Sequence, residues 1–200
     1  MAGTGSAQGG IGGLMPEGRI YFAYGSNMLG ERLLRRCPSA RALGPAVLED
    51  HALDFAKPGR DGSGKATIWA TPGARVFGVL FSLEPGDCDL LDGFEGRGKG
   101  YDRVEDCVVR PMAGGAPVTA FTYMAPPAFR ASGLLPFDWY HALIIAGARQ
   151  NGLPEEYIAR LEGIAALADP QAGRAARCEA LDILSSQATE ACLQARPRTP

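Results

Sequence analysis

Val76-Phe-Gly-Val-Leu-Phe81 carries no polar side chain at any position. A β-favouring run this short and this apolar reads as a strand covered on both faces, so the chain must build sheet around it. Upstream, Ala66-Thr-Ile-Trp-Ala70 and a turn at Thr71-Pro-Gly73 predict a hairpin whose second arm is 75–83. Residues 101–110 and 117–124, joined by Ala113-Gly-Gly-Ala116, predict a second pair of strands. An opening strand fits 19–24, and 40–55 reads as two short strands or one bent strand. Lys57-Pro-Gly-Arg-Asp-Gly-Ser-Gly-Lys65 is a loop by composition; Gly64-Lys65 is followed by Ala66, so it lacks the spacing of a phosphate-binding loop.

Helical patterns occupy 29–36, 84–94, 137–150 and 154–167. Pro85 suits a first turn, Leu90, Leu91 and Phe94 are expected on the core side, and Asn151-Gly152 is a stop signal. Strands come first, helices mostly last, and the connections are of hairpin type. That order predicts an α+β domain built on a small, strongly curved sheet or barrel. A doubly wound dinucleotide fold would need regular strand-helix alternation and a G-x-G-x-x-G after the first strand, and the chain has neither.

The domain is expected over 18–168. Residues 1–17 are glycine-rich, without the basic start and apolar centre of a signal peptide, and are expected to form a disordered arm. Residues 169–200 form a tail with one candidate helix, its stripe Leu181, Leu184, Ala188 and Cys192. The longest apolar run, near 142–146, falls far short of the roughly 20 residues that span a bilayer. A net charge of −2 with both signs interspersed argues against a nucleic-acid surface or an electrostatic membrane anchor, which leaves a small molecule or another protein as partner. The five cysteines are scattered without a C-x-x-C pair, so neither a metal site nor a disulfide framework is expected; a reduced, cytoplasmic protein fits them.

Chemistry concentrates in two places. Tyr21-Phe-Ala-Tyr-Gly-Ser-Asn27 ends a strand in a polar loop just before a helical pattern. Ser26 or Asn27 can cap that helix, or the loop N–H groups and side chains can hold an oxygen-rich anionic group. Glu95 ends a predicted helix and is followed by Gly96-Arg-Gly-Lys-Gly100, which allows it to sit half out of water beside mobile backbone, where a carboxylate is a better proton acceptor. Arg97 and Lys99 would oppose that if they came close. The plainer reading is a solvated helix-end carboxylate. Ser26 lacks both a histidine partner and a G-x-S-x-G context, so it is a poor nucleophile. Tyr24, Tyr101, Tyr123 and Tyr140 fall at element edges; singly each reads as a core aromatic, and together they can line a polar pocket.

Tyr21-Phe-Ala-Tyr-Gly-Ser-Asn-Met28, Leu53-Asp-Phe55, Val76-Phe-Gly-Val79, Phe94-Glu-Gly96, Thr122-Tyr123, Ala146-Gly-Ala148 and Asn151-Gly-Leu-Pro154 occur in an order that resembles the γ-glutamylcyclotransferase family, over about 19–166. The resemblance implies that family's small mixed barrel with flanking helices and a cavity at one end. It also implies release of 5-oxoproline from a γ-glutamyl amino acid or peptide by attack of the substrate's own α-amine on its γ-carbonyl, with no cofactor and no metal. Carried over residue by residue, Glu95 is the acid/base, Tyr24, Gly25, Ser26 and Asn27 hold the γ-glutamyl group, and Tyr101, Tyr123 and Tyr140 line or close the pocket. The glycine-rich interval from Glu95 to Tyr101 departs from the pattern. A homodimer is compatible with the resemblance, as are another γ-glutamyl amine as substrate and a non-catalytic binder of the same fold.

Overall fold

The computed structural model describes residues 18–194, the side chains of 188–194 excepted. The arm expected over 1–17 lies outside the described residues, as do the side chains of Ala188 and Cys192. Five strands close into a barrel: β1 (Arg19–Ala23), β2 (Arg41–Pro58), β3 (Gly64–Leu83), β4 (Asp102–Pro111) and β5 (Val118–Met124), in the spatial order β1-β3-β2-β4-β5. β1 runs antiparallel to β3, with Tyr21 opposite Phe81, and parallel to β5, with Tyr21 opposite Phe121. The latter contact closes the ring. The apolar 76–81 run lies along β2 throughout and between β1 and β2 at 79–81, and all of it but the partly exposed Phe77 is buried.

β2 is one bent strand rather than two. Its partner β3 runs through Pro72-Gly73 instead of turning back: both halves pair with β2, His51 opposite Ala70 and Glu49 opposite Arg75. The predicted hairpin at 71–73 is therefore a bulge. Four residues of β3 stand opposite Asp50, whose φ of 55° lies in the left-handed region and whose carboxylate accepts the Gly73 N–H at 2.8 Å. The true turn is the shorter 59–63 segment, closed by the Gly59 N–H donating to Ser63 O at 2.7 Å.

Flanking the barrel are α1 (Gly30–Leu34), α2 (Pro85–Glu95), α3 (Asp138–Gln150), α4 (Glu155–Glu162) and α5 (Ala175–Gln194). α2 buries Cys88 and Leu91, while Leu90 and Phe94 face outward, contrary to the expected core stripe. Leu90 and Leu91 are adjacent and point about 100° apart on a helix, so only packing decides which goes inside. α4 ends at Glu162, short of the predicted 167, and the Leu167 N–H donates to Pro136 O at 2.9 Å, which ties the segment to the start of α3.

α3 carries the deepest helical face: Tyr140, Leu143, Ile144, Gly147 and Ala148 recur at helical spacing and are buried. At Gly147 the helix lies backbone against backbone on the loop after β1, where an added Cβ would stand 2.6 Å from Leu29 N and 2.8 Å from Met28 Cβ. Asn151 clamps the same junction, its Nδ2 donating to Met28 O and Gly147 O, both at 2.9 Å. On α5 the fully buried residues are Ala180 and Ile183; of the expected stripe, Leu184 packs against the core, whereas Leu181 is 43 % exposed. We expect Ile183→Val to cost about 1 kcal/mol in urea unfolding and Leu181→Ala less than about 0.5 kcal/mol. The reverse order would put the helix in the wrong phase.

Candidate active site

Two short signals build the site. β1 ends at Ala23, and Gly25 then turns the chain into a single 3-10 turn, Ser26–Met28, before α1 starts at Gly30. Neither Ser26 nor Asn27 caps a helix by its side chain; the residue ahead of α1 is Leu29, also without a side-chain cap. The capping reading is thus overturned, because the 3-10 turn separates these side chains from α1. They point elsewhere. Ser26 Oγ accepts from Arg32 Nε at 3.1 Å, and Asn27 Nδ2 donates to Glu95 Oε1 at 2.9 Å and to the Tyr21 hydroxyl at 3.2 Å. The leading N–H groups of the turn have no acceptor within it.

Glu95 is the last residue of α2. Gly96 follows in the left-handed region (φ 67°), which stops the helix there and sends the chain away from the carboxylate. Glu95 is neither solvated nor paired with Arg97: its side chain is 18 % exposed, and Arg36 Nη1 donates to Oε1 at 3.3 Å while also reaching Asn27 Oδ1 at 3.1 Å. Arg97 turns instead to Asp92 at 2.9 Å. Oε1 therefore accepts two hydrogen bonds, and Oε2 has no partner among the described residues. A carboxylate so held presents one fixed, unoccupied oxygen.

Glu95 lines a small cavity together with the 24–27 loop, Ala66 and the predicted tyrosines. Each tyrosine hydroxyl is anchored. Tyr24 donates to Tyr123 O, Tyr101 donates to Ala66 O at 2.6 Å, and Tyr140 accepts the Ala66 N–H at 3.2 Å. Tyr123 donates to Asp92 Oδ1 at 2.6 Å. Burial pushes the Tyr140 phenol up to about 12, and Tyr24 and Tyr101 well above their ordinary value. None of the three is a base at neutral pH, so their work is shape and hydrogen bonding. An added Cβ on Gly25 would stand 3.5 Å from Ala66 Cβ and 3.6 Å from the Tyr140 hydroxyl, so any larger side chain there would grow into the cavity.

The sequence-predicted residues Tyr24, Gly25, Ser26, Asn27, Glu95, Tyr101, Tyr123 and Tyr140 are thus brought to one cavity. Sequence reasoning missed Tyr21, Arg36 and Asp92. Asp92 lies three residues before Glu95 on the same side of α2 and fixes that end of the helix to the barrel through Tyr123 and through Arg103 at 2.9 Å. Burial opposes its ionisation, but hydrogen bonds from Tyr123 and Arg97 and the charge of Arg103 outweigh it and hold the carboxyl below its ordinary range. The i, i+3 spacing to Glu95 was the available signal for Asp92; for Arg36, whose partner is 59 residues away, there was none. Among the described residues no cluster of His, Cys, Asp and Glu is arranged to hold a metal ion.

Comparison with known proteins supplies a context for this geometry. A model of the AIG2-like family matches residues 75–161, a span that includes Glu95, Tyr101, Tyr123 and Tyr140 but not the 24–27 loop. Gamma-glutamylcyclotransferase of Bos taurus is 36 % identical over 154 residues, which is 74 % of this chain and 79 % of the relative. The Homo sapiens protein of the same name is 36 % identical over 153 residues, with the same coverage of 74 % and 79 %. A solved structure of a gamma-glutamyl cyclotransferase superposes with a TM-score of 0.74 at 33 % identity, covering 84 % of this chain and 98 % of its own.

Proposed function

The chain belongs to the γ-glutamylcyclotransferase family, and from that premise we propose that it releases 5-oxoproline from γ-glutamyl amino acids or peptides with Glu95 as the acid/base. The observation that carries this reading is that Glu95, its Oε1 engaged by Asn27 and Arg36 and its Oε2 without a partner among the described residues, lines the same small cavity as the loop from Gly25 to Asn27.

The substrate's α-ammonium has a pKa near 8, so at neutral pH most of it must lose a proton before it can attack. Glu95 Oε2 takes that proton. The freed nitrogen attacks the γ-carbonyl carbon of the same molecule, Glu95 returns the proton to the departing nitrogen as the bond from that carbon to it breaks, and the second proton that the attacking nitrogen sheds on becoming the lactam N–H converts the released amine to its ammonium form. One γ-glutamyl amino acid becomes one 5-oxoproline and one amino acid, with no water consumed. Nucleophile and electrophile are already joined, so the protein need only hold the glutamyl chain curled, and a cavity walled by anchored tyrosines serves that end. N–H groups of the loop hold an oxygen of the glutamyl group, where they also steady negative charge that develops in the transition state. Arg36 and Asn27 act as positioning residues, since they occupy Oε1 and leave Oε2 as the proton acceptor.

The test is incubation of the purified protein with γ-glutamyl-alanine and quantification of products by liquid chromatography. Equimolar 5-oxoproline and alanine are expected. Glutamate in place of 5-oxoproline would mean hydrolysis and would overturn the cyclisation. Binding of 5-oxoproline in calorimetry without turnover of any γ-glutamyl donor would favour a non-catalytic binder.

A further inference from the structure

Outside the tyrosine cavity the site widens into a vestibule of about 470 Å³, and Ser26, Glu95, Tyr101 and Tyr140 line both spaces. A γ-glutamyl group held in the inner cavity therefore sends its leaving group into the vestibule. The walls of that outer space carry seven cationic side chains and two carboxylates, on a chain whose net charge is −2. Both carboxylates are already engaged, Glu95 by Arg36 at 3.3 Å and Asp61 by Lys65 at 2.8 Å. Arg174 is engaged by Asp169 at 2.6 Å.

Three cations remain unpaired. Lys57, Arg60 and Lys99 have no carboxylate within ion-pair distance among the described residues, and Lys57 lies over the Tyr101 ring, 5.0 Å from its centroid, at the boundary of the two spaces. Arg32 is almost fully buried, donates from Nε to Ser26 Oγ and pairs with Glu179 at 3.8 Å, while its Nη1 makes no hydrogen bond. Burial, with the charge of Arg36 beside it, lowers the Arg32 pKa to about 10. A concave wall with this excess of one sign focuses its field on whatever occupies it. A cationic leaving group would be repelled, and a neutral one would gain nothing.

We propose that the vestibule is a leaving-group subsite for a dicarboxylate, so that the preferred substrates are γ-glutamyl conjugates of acidic amino acids, with Lys57, Arg60 and Lys99 holding the second carboxylate. The inference rests on the assignment of the inner cavity to the γ-glutamyl group. It makes the vestibule the element that chooses among donors, while Glu95 and the loop act on the part all donors share.

The experiment compares kcat/KM for γ-glutamyl-aspartate, γ-glutamyl-alanine and γ-glutamyl-lysine (joined through the lysine α-amine), at low salt and in 0.5 M NaCl. The aspartate conjugate is expected to exceed the alanine conjugate about tenfold at low salt, and the ratio to fall towards one in high salt. The double variant Arg60→Glu/Lys99→Glu changes two exposed side chains, and it is expected to bring the aspartate-to-alanine ratio below one and to raise the lysine-to-alanine ratio. Turnover of γ-glutamyl-alanine with an aspartate ratio at or below one, or a ratio that ignores the double variant, overturns the vestibule proposal alone. Failure of every donor to yield 5-oxoproline removes the inner-cavity assignment and this proposal with it.

Discussion

Glu95→Gln is expected to lower kcat for γ-glutamyl-alanine by about a thousandfold while KM moves only a few fold. The amide keeps the size of the carboxyl and can still meet Asn27 or Arg36, but it has no oxygen that accepts a proton from the α-ammonium. The uncatalysed advantage of an intramolecular attack remains, as does whatever the loop contributes, so residual cyclisation should be measurable. Stability should fall by about 1–2 kcal/mol, because the amide keeps a hydrogen-bonding oxygen for Arg36 or Asn27 but removes the charge from a largely buried ion pair. Initial rates of 5-oxoproline release, with circular dichroism to confirm the fold, check both statements. Undiminished kcat in the variant would remove Glu95 from its role.

Gly147→Ala is the second large effect, and its sign is informative. In the middle of a helix, alanine in place of glycine ordinarily gains about 1 kcal/mol. Here the new Cβ would meet Leu29 N at 2.6 Å and Met28 Cβ at 2.8 Å, and backbone cannot step aside as a flexible side chain would. We expect a net loss of about 2 kcal/mol, read by urea denaturation. The activity of the folded fraction should fall as well, about a hundredfold in kcat/KM, because the displaced segment is the turn that carries Ser26 and Asn27. A gain in stability would mean that α3 and the loop are less tightly apposed than described.

These two positions also mark what was legible beforehand. The barrel-forming strands announced themselves through apolar runs and turn residues, and 76–81 could hardly have been anything but a central strand. Pro72-Gly73 misled because the residues that suit a hairpin turn also suit a bulge; the deciding fact, that β2 is long enough to pair with both halves of β3, is not local. The same limit applies to Ser26 and Asn27. A side chain that can cap a helix can equally serve a carboxylate or a guanidinium, and the choice was made by the 3-10 turn and by where α2 ends. On α2, the adjacent Leu90 and Leu91 left the phase open until Asp92 was fixed to Tyr123 and Arg103. Arg36 looked like any arginine at a helix end, and its place beside Glu95 is a product of the closed barrel alone.

The division of labour proposed for the cavity separates holding from proton transfer. The loop and the tyrosines fix the glutamyl chain, Glu95 moves the proton, and the basic vestibule receives what leaves. Lys57 and Arg60 of the vestibule lie on a different stretch of chain from Glu95 and from the 24–27 loop, so substitutions there should change leaving-group preference with little effect on proton transfer.

The most direct measurement is a crystal structure of the Glu95→Gln variant with γ-glutamyl-alanine bound. The account predicts the α-amine within hydrogen-bond distance of the side chain at position 95, a glutamyl oxygen on the N–H groups of the Gly25 to Asn27 loop, and the alanine carboxylate in the vestibule towards Lys57. A glutamyl group lying in the vestibule with its α-amine turned away from position 95 would contradict it.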